Sequence, residues 1–252
     1  MSSLFDLSGT VAVVTGANTG LGQGIAIALA QAGASISLVG RSEPDETIEQ
    51  IDALGGKSCS VRADLSELGA IDGILDQTRK SLGGMDILVN NAGIIQRNEA
   101  LDFTVEQWDS VMNVNLRTLF FLSQAFAKSC VDEGQGGKII NIASMLSYQG
   151  GIRVPSYTAS KSGVMGLTRA LANEWAGKGI NVNAIAPGYF ATNNTAALQA
   201  DAKRNAEILG RIPAGRWGEP AELGGAAVFL ASSASDYVHG TTLAVDGGWL
   251  SR

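Results

Sequence analysis

Short, nearly unbroken apolar runs rich in β-branched residues alternate along this chain with longer stretches whose apolar positions recur every three or four residues. The runs at 10–15, 35–39, 58–62, 86–89, 138–142, 181–185 and 242–245 predict strands. Most carry too little polar alternation for a half-exposed sheet, which predicts strands covered on both faces. The stretches at 21–32, 46–54, 67–82, 105–131, 156–177 and 221–232 predict helices. Such regular alternation predicts an α/β fold: one domain over 1–252, built on a parallel, doubly wound, seven-stranded sheet with helices on both faces. Residues 187–216 break the rhythm. They open on Pro187-Gly188, hold a short helical pattern at 200–209, and predict either a substrate-loop insertion or a plain surface excursion.

The first predicted strand runs into Thr15-Gly16-Ala17-Asn18-Thr19-Gly20-Leu21-Gly22, and then a helix begins. Glycines at a strand-to-helix turn let backbone approach a pyrophosphate, which the helix N-terminus favours electrostatically. This makes the sheet Rossmann-like and the chain a candidate for NAD(H) or NADP(H), against the plainer reading of a tight turn. The second strand ends in Gly40-Arg41-Ser42, without the acid that would bond a ribose 2′-hydroxyl. Arg41 can instead pair with a 2′-phosphate, which favours NADP(H), or be a solvated loop cation beside Glu43. Asn90-Asn91-Ala92-Gly93 follows the fourth strand, where small residues admit a flat ring and an Asn can tie neighbouring strands together. Alone, that quartet also reads as an Asx turn.

Tyr157 and Lys161 stand four residues apart and so share a helix face. A phenol with an ordinary pKa of about 10 exchanges protons poorly at neutral pH, and a neighbouring ammonium is expected to ease its ionisation. Ser144, just past a strand end, can hydrogen-bond a carbonyl or alcohol, and Asn115 can hold a water linking Lys161 to solvent. The ordered set of T-G-x-x-x-G-x-G, N-N-A-G, a helical Asn, Ser, Y-x-x-x-K and Pro-Gly is similar, over the whole chain, to the short-chain dehydrogenase/reductase family. The resemblance implies a catalytic tetrad of Asn115, Ser144, Tyr157 and Lys161, with Lys161 also holding the nicotinamide ribose. It implies Asp64 and Leu65 beside the adenine, Pro187, Gly188 and Thr192 at the nicotinamide end, NAD as the usual cofactor, and a homotetramer.

Within that family, 139–156, 183–195 and 211–218 resemble enzymes of uronate and pectin breakdown that oxidise or reduce a deoxy-keto sugar acid. A sugar acid needs a carboxylate partner, and arginine suits bidentate recognition. Arg153 and Arg97 are the candidates, with Gln149, Tyr148 and Asn193 as partners for hydroxyls, although Arg153 can equally serve only its loop. Gluconate, another polyol or a 3-oxoacyl thioester is the alternative substrate, and a non-catalytic nucleotide sensor is the alternative of another class. Helix 156–177 and residues 243–250 are more apolar than one packed face needs, so they are candidates for subunit contacts, and Trp249 for an interface or the core.

Composition narrows this picture by exclusion. A net charge of −6 with no basic run argues against nucleic acid. Two cysteines in unrelated contexts, Cys59 and Cys130, predict idle thiols in a reducing compartment. A single histidine, His239, cannot build a usual zinc site or a triad near these motifs, so no metal is expected. Residues 1–6 lack a basic start followed by an apolar stretch, and the apolar runs are strand-length, which predicts a cytoplasmic protein that neither enters nor spans a membrane.

Overall fold

In the computed structural model, which describes residues 3–252, the chain alternates strand and helix from β1 (Val11–Thr15) and α1 (Gly20–Gln31) onward. The very start of the segment that carries the N-terminal expectation, residues 1 and 2, lies outside the described residues. There follow β2 (Ser35–Gly40), α2 (Asp45–Ala53), β3 (Ser58–Arg62), α3 (Ala70–Leu82) and β4 (Ile87–Asn90). The second half holds α4 (Val105–Met112), α5 (Leu119–Asp132), β5 (Gly137–Ile142), α6 (Pro155–Trp175) and β6 (Ile180–Pro187). The chain ends with α7 (Ala196–Ala200), α8 (Ala202–Leu209), α9 (Gly224–Ala231) and β7 (Thr242–Val245). All strands pair in parallel, in the order β3-β2-β1-β4-β5-β6-β7. The seven-stranded, doubly wound sheet is therefore as expected, and its strand order reverses between β1 and β4. That switch point opens a crevice beyond the carboxyl ends of the strands.

The pleat explains why the strands read as continuous apolar runs. Ala12 and Val14 face one apolar cluster with Ile25 and Leu29 of α1 and Ala227 and Leu230 of α9. Val13, between them, faces the opposite cluster with Ile74 of α3, Leu122 and Phe126 of α5, and Leu171 of α6. Each face needs its own apolar set, so β4 and β6 are buried at every position. Two clusters of this size, one per face, are the main stabilising element of the fold.

Two predicted helices differ in detail. The stretch expected as one helix over 105–131 is split by a π-helical segment at Asn113–Thr118. Such a segment inserts an extra residue into the helix, a form frequent at functional sites. The short helical pattern expected at 200–209 starts instead at Ala202, because Asp201 adopts extended backbone after the end of α7 and caps α8 by accepting from the backbone N–H groups of Lys203 and Arg204. Among the described residues no helix is long and apolar enough to cross a membrane.

A buried polar ladder sets α6 against the sheet. Asn90 Nδ2 donates to Asn141 Oδ1 and to Ser123 Oγ, each at 2.9 Å, and Asn141 Nδ2 donates to Thr168 Oγ1 at 3.0 Å. It locks β4, β5, α5 and α6 in one register, because any slip would leave these groups buried and unpaired.

Candidate active site

The glycine turn is shaped by close approach. Gly16 (φ 66°) and Gly20 (φ 60°) occupy left-handed backbone that side chains disfavour. Asn91 Nδ2 donates to the carbonyls of Thr15 (2.9 Å) and Gly16 (3.1 Å), so the turn is pinned to the chain leaving β4. Thr15 Oγ1 accepts from the backbone N–H groups of Asn91 and Ala92, both at 3.0 Å. The Asn91 side chain thus ties two neighbouring strand ends together.

Above the turn, the Thr192 methyl lies where a side chain on Gly20 would make contact, at 3.5 Å. Residues from the 187–216 segment thereby roof the N-terminus of α1. Asn18 Nδ2 donates to Ser42 Oγ at 2.8 Å, bracing the loop that presents Arg41 to the crevice. Glu43, the acid that competes with Arg41 on paper, instead accepts from Ser60 Oγ at 2.8 Å and does not line the crevice. Asp64 lines it, and its carboxyl sits below its ordinary range, chiefly because Ser66 donates to it and less because of the Arg41 charge.

One crevice of about 990 Å³ collects nearly every candidate. Gly16, Asn18, Thr19, Gly20, Leu21, Gly22, Arg41, Asp64, Leu65, Asn91, Ala92, Gly93, Pro187, Gly188 and Thr192 line it, together with Ser144, Tyr157, Lys161, Arg97, Gln149 and Asn193. A dinucleotide fits here: Gly16, Gly20 and Gly22 leave bare backbone at the turn, a twelve-residue helix aims its N-terminus at it, and Arg41 lines the β2 end.

Two substrate candidates are not brought in. Tyr148, 49% exposed, donates its hydroxyl to the Thr242 carbonyl at 3.3 Å and so turns towards β7. The reason is the 3-10 turn at Met145–Ser147, which rotates the chain before Tyr148. Arg153 holds left-handed backbone (φ 66°) and pairs outward with Glu99 at 3.1 Å. Asn115 is fully buried and sits behind the crevice wall in the π-segment. Its Oδ1 accepts from Ile94 N–H at 2.8 Å, and its Nδ2 donates to the Ile94 carbonyl at 2.9 Å and to Ser160 Oγ at 3.3 Å, so the side chain fixes the backbone after Gly93.

Lys161 is 3% exposed, and its Nζ donates to the Ile142 carbonyl at 2.5 Å while lying 5.7 Å from the Tyr157 ring centroid. Ser147 Oγ fixes the Lys161 backbone by donating to its carbonyl at 2.7 Å. Burial lowers the ammonium pKa to about 8. Burial also pushes the Tyr157 hydroxyl above its ordinary value, opposed by the Ser144 hydrogen bond and the Arg97 charge. Ser144 and Arg97 thus pull the phenol down only part of the way, and the Lys161 ammonium stands beside the same ring.

This balance has a measurable consequence for stability. Below pH 8 Lys161 is charged in both the folded and the unfolded chain, and among the described residues no carboxylate pairs with it. Its burial then opposes folding by roughly 3 kcal/mol, less whatever the bond to Ile142 returns. From about pH 8 towards 10.5 the folded chain sheds this proton first, so the opposition fades as pH rises. Lys161→Met is expected to resist urea better than the parent at pH 7, with the gap closing by pH 10. A variant less stable at pH 7 would contradict a buried, uncompensated ammonium.

Sequence reasoning missed Tyr189, Leu198, Arg204, Arg211 and the crevice role of Trp249. These residues meet only because the 187–216 segment folds back over the C-terminal residues. The visible signal was the run of Arg and Trp within 211–217, beside a Gly-Gly-Trp near the end of the chain.

Residues 16–250 match a family profile described as Enoyl-(Acyl carrier protein) reductase. The 2-dehydro-3-deoxy-D-gluconate 5-dehydrogenase of Escherichia coli is 64% identical over 250 residues, covering 99% of each chain. The enzyme of the same name from Dickeya dadantii is 60% identical, covering 98% of each. A crystal structure from Agrobacterium tumefaciens, provisionally described as a 2-deoxy-D-gluconate 3-dehydrogenase with bound NADP, is 59% identical with a TM-score of 0.95 over 100% of both chains. A profile that spans everything after β1, and identity of this depth along whole chains, place the glycine turn and the Tyr157–Lys161 face in a known lineage. The chain belongs to the short-chain dehydrogenase/reductase family.

Proposed function

We propose that this protein is an NADP(H)-linked dehydrogenase that interconverts a secondary hydroxyl and a ketone on a deoxy-keto sugar acid, namely 2-dehydro-3-deoxy-D-gluconate at its fifth carbon. The observation that carries the reading is one crevice that holds a glycine-rich turn at its floor, Arg41 at one end and Ser144, Tyr157 and Lys161 at the other. When bound, the nicotinamide exchanges a hydride with the carbinol carbon. Ser144 and Tyr157 together hold the reacting oxygen, and Tyr157 takes or returns its proton. Arg97 stabilises negative charge on the phenol, and Lys161, with a pKa of about 8, can pass a proton at working pH. Thr192 and Asn193 cover the site and exclude water.

The family profile's name points to an acyl thioester, whereas the curated relatives at 60% identity and above act on a sugar acid. The lining favours the latter, since Arg97 and Arg211, which no carboxylate pairs with among the described residues, suit an anionic polyol better than an acyl chain. Arg41, with Glu43 turned away to Ser60, favours NADP(H) over NAD(H). Initial rates on keto-deoxy sugar acids, gluconate, neutral polyols and a 3-oxoacyl thioester, each with both cofactors, test this. The expected result is a kcat/KM highest for the keto-deoxy acid with NADP(H), and a thioester preference would overturn it.

We also propose a cytoplasmic homotetramer. Leu243 of β7, Trp108 of α4 and Phe121 of α5 are large apolar side chains left open to solvent, which supports subunit contacts over these elements. Light scattering at micromolar concentration is expected to give a particle of four chains, and a monomer would refute the assembly.

A further inference from the structure

Near Ser144 the crevice is walled by an apolar cluster in which Met145 packs with Ile208, Ile212 and Trp249, flanked by Tyr189 and Leu198. Trp249 is 5% exposed, and its indole N–H is buried without a hydrogen-bond partner. A buried orphan donor is costly, and native chains keep one mainly where a ligand or water completes it. The Arg211 guanidinium stacks on the Trp249 ring, 4.0 Å from its centroid. Arg204, Arg153 and Arg216 each pair with a glutamate, whereas among the described residues Arg211 has no carboxylate partner.

The two side chains are strapped together by backbone. Arg252 Nη1 donates to the Gly210 carbonyl at 3.2 Å, and Ala214 N–H donates to the Gly247 carbonyl at 3.0 Å. The Asp246 carboxylate accepts from the N–H groups of Gly248 and Leu250, both at 2.8 Å, which fixes the turn that carries Trp249. Arg211 is thus a pre-oriented cation on a rigid aromatic face, a geometry that loses little freedom on meeting a planar anion.

Besides Arg41 at the β2 end and Lys161 beside Tyr157, the crevice holds a further arginine without a carboxylate partner among the described residues, Arg97, and position separates it from Arg211. Arg97 acts electrostatically on Tyr157, where the reacting hydroxyl is held, whereas Arg211 acts on Tyr189. In a six-carbon acid reacting at its fifth carbon, the carboxylate carbon lies four bonds away, roughly 5 Å in an extended chain. The carboxylate partner must then stand away from Tyr157. We propose that Arg211, held flat on Trp249, receives the substrate carboxylate, and that the Trp249 N–H donates to an oxygen at the same end. This rests on the sugar-acid reading above.

The test compares the parent, Arg211→Met, Arg97→Met and Trp249→Phe on the keto-deoxy sugar acid and on a neutral polyol of equal length, at saturating NADP(H). Arg211→Met is expected to raise KM for the acid about 10- to 100-fold, the worth of a charge-assisted bidentate contact, with kcat changed little and the neutral polyol's constants unchanged. Trp249→Phe, with a melting temperature near the parent's, is expected to raise the same KM several-fold. An equal loss on acid and polyol, no loss on either, or an acid-selective loss in Arg97→Met alone would overturn the assignment. A parent that prefers the neutral polyol would overturn the sugar-acid reading and this inference with it, and it is told apart because it needs no variant.

Discussion

Tyr157→Phe is expected to lower kcat by two to four orders of magnitude while leaving NADPH binding intact, the size of effect that follows from deleting a general acid–base group. The substitution is clean because the ring remains. Phe keeps the face 5.7 Å from Lys161 Nζ and the packing on α6, so only the hydroxyl that meets Ser144 is lost. Fluorescence titration with NADPH separates the two effects, since the glycine turn and Arg41 do not touch that hydroxyl. The pH profile adds a second check. Burial raises the phenol while Ser144 and Arg97 pull it down, so removing either helper should move the Tyr157-dependent limb, rising in oxidation and falling in reduction, to higher pH. Near-normal turnover in Tyr157→Phe would remove the basis for redox chemistry at this site, and NADPH binding without oxidation of any sugar acid by the parent would favour a nucleotide sensor.

What could be read from the chain before its structure divides along a physical line. The five inner strands were legible because burial on both faces demands uninterrupted apolar runs, whereas β3 and β7, at the sheet edges and little buried, showed only as short runs between turns. The glycine turn and the Tyr157–Lys161 pair were legible because each depends on residues close in sequence, the pair on a fixed helical spacing, whereas the bonds of Asn91 reach back to Thr15 and Gly16. The π-segment at Asn113–Thr118 was not legible, since no local residue pattern marks where a helix widens. Its cause lies in long-range bonds from Asn115 to Ile94. Arg153 was misplaced for a related reason. Its left-handed backbone is rare for a residue with a side chain, and it is held by Glu99 and by Asn98 N–H donating to its carbonyl at 3.0 Å. Trp249 and Arg211 were hidden because two distant segments must meet before either side chain has a neighbour.

The contrast between two glycines turns the dinucleotide floor into a second large prediction. Gly22→Ala is expected to abolish NADPH binding at concentrations that saturate the parent and to lower the melting temperature by several degrees. Its backbone is ordinary, so strain is not the objection; space is. A Cβ there would stand 2.1 Å from the Gly16 carbonyl oxygen and 2.4 Å from Asn91 Nδ2. Neither neighbour can retreat cheaply. Gly16 is held in left-handed backbone, and Asn91 bonds both carbonyls of the turn. Relief requires opening the turn, which costs about 1–3 kcal/mol or more as overpacking and spoils the close approach that a pyrophosphate needs. Gly73→Ala is the control. It lies within α3, has nothing within 4 Å of the added carbon, and is expected to stabilise the chain by roughly 0.5–1 kcal/mol through helix propensity with cofactor binding unchanged. Calorimetric melting and NADPH titration of both variants decide the matter. If Gly22→Ala binds and melts like the parent, the turn does not close as tightly as its hydrogen bonds require, and the crevice floor loses its claim to a dinucleotide.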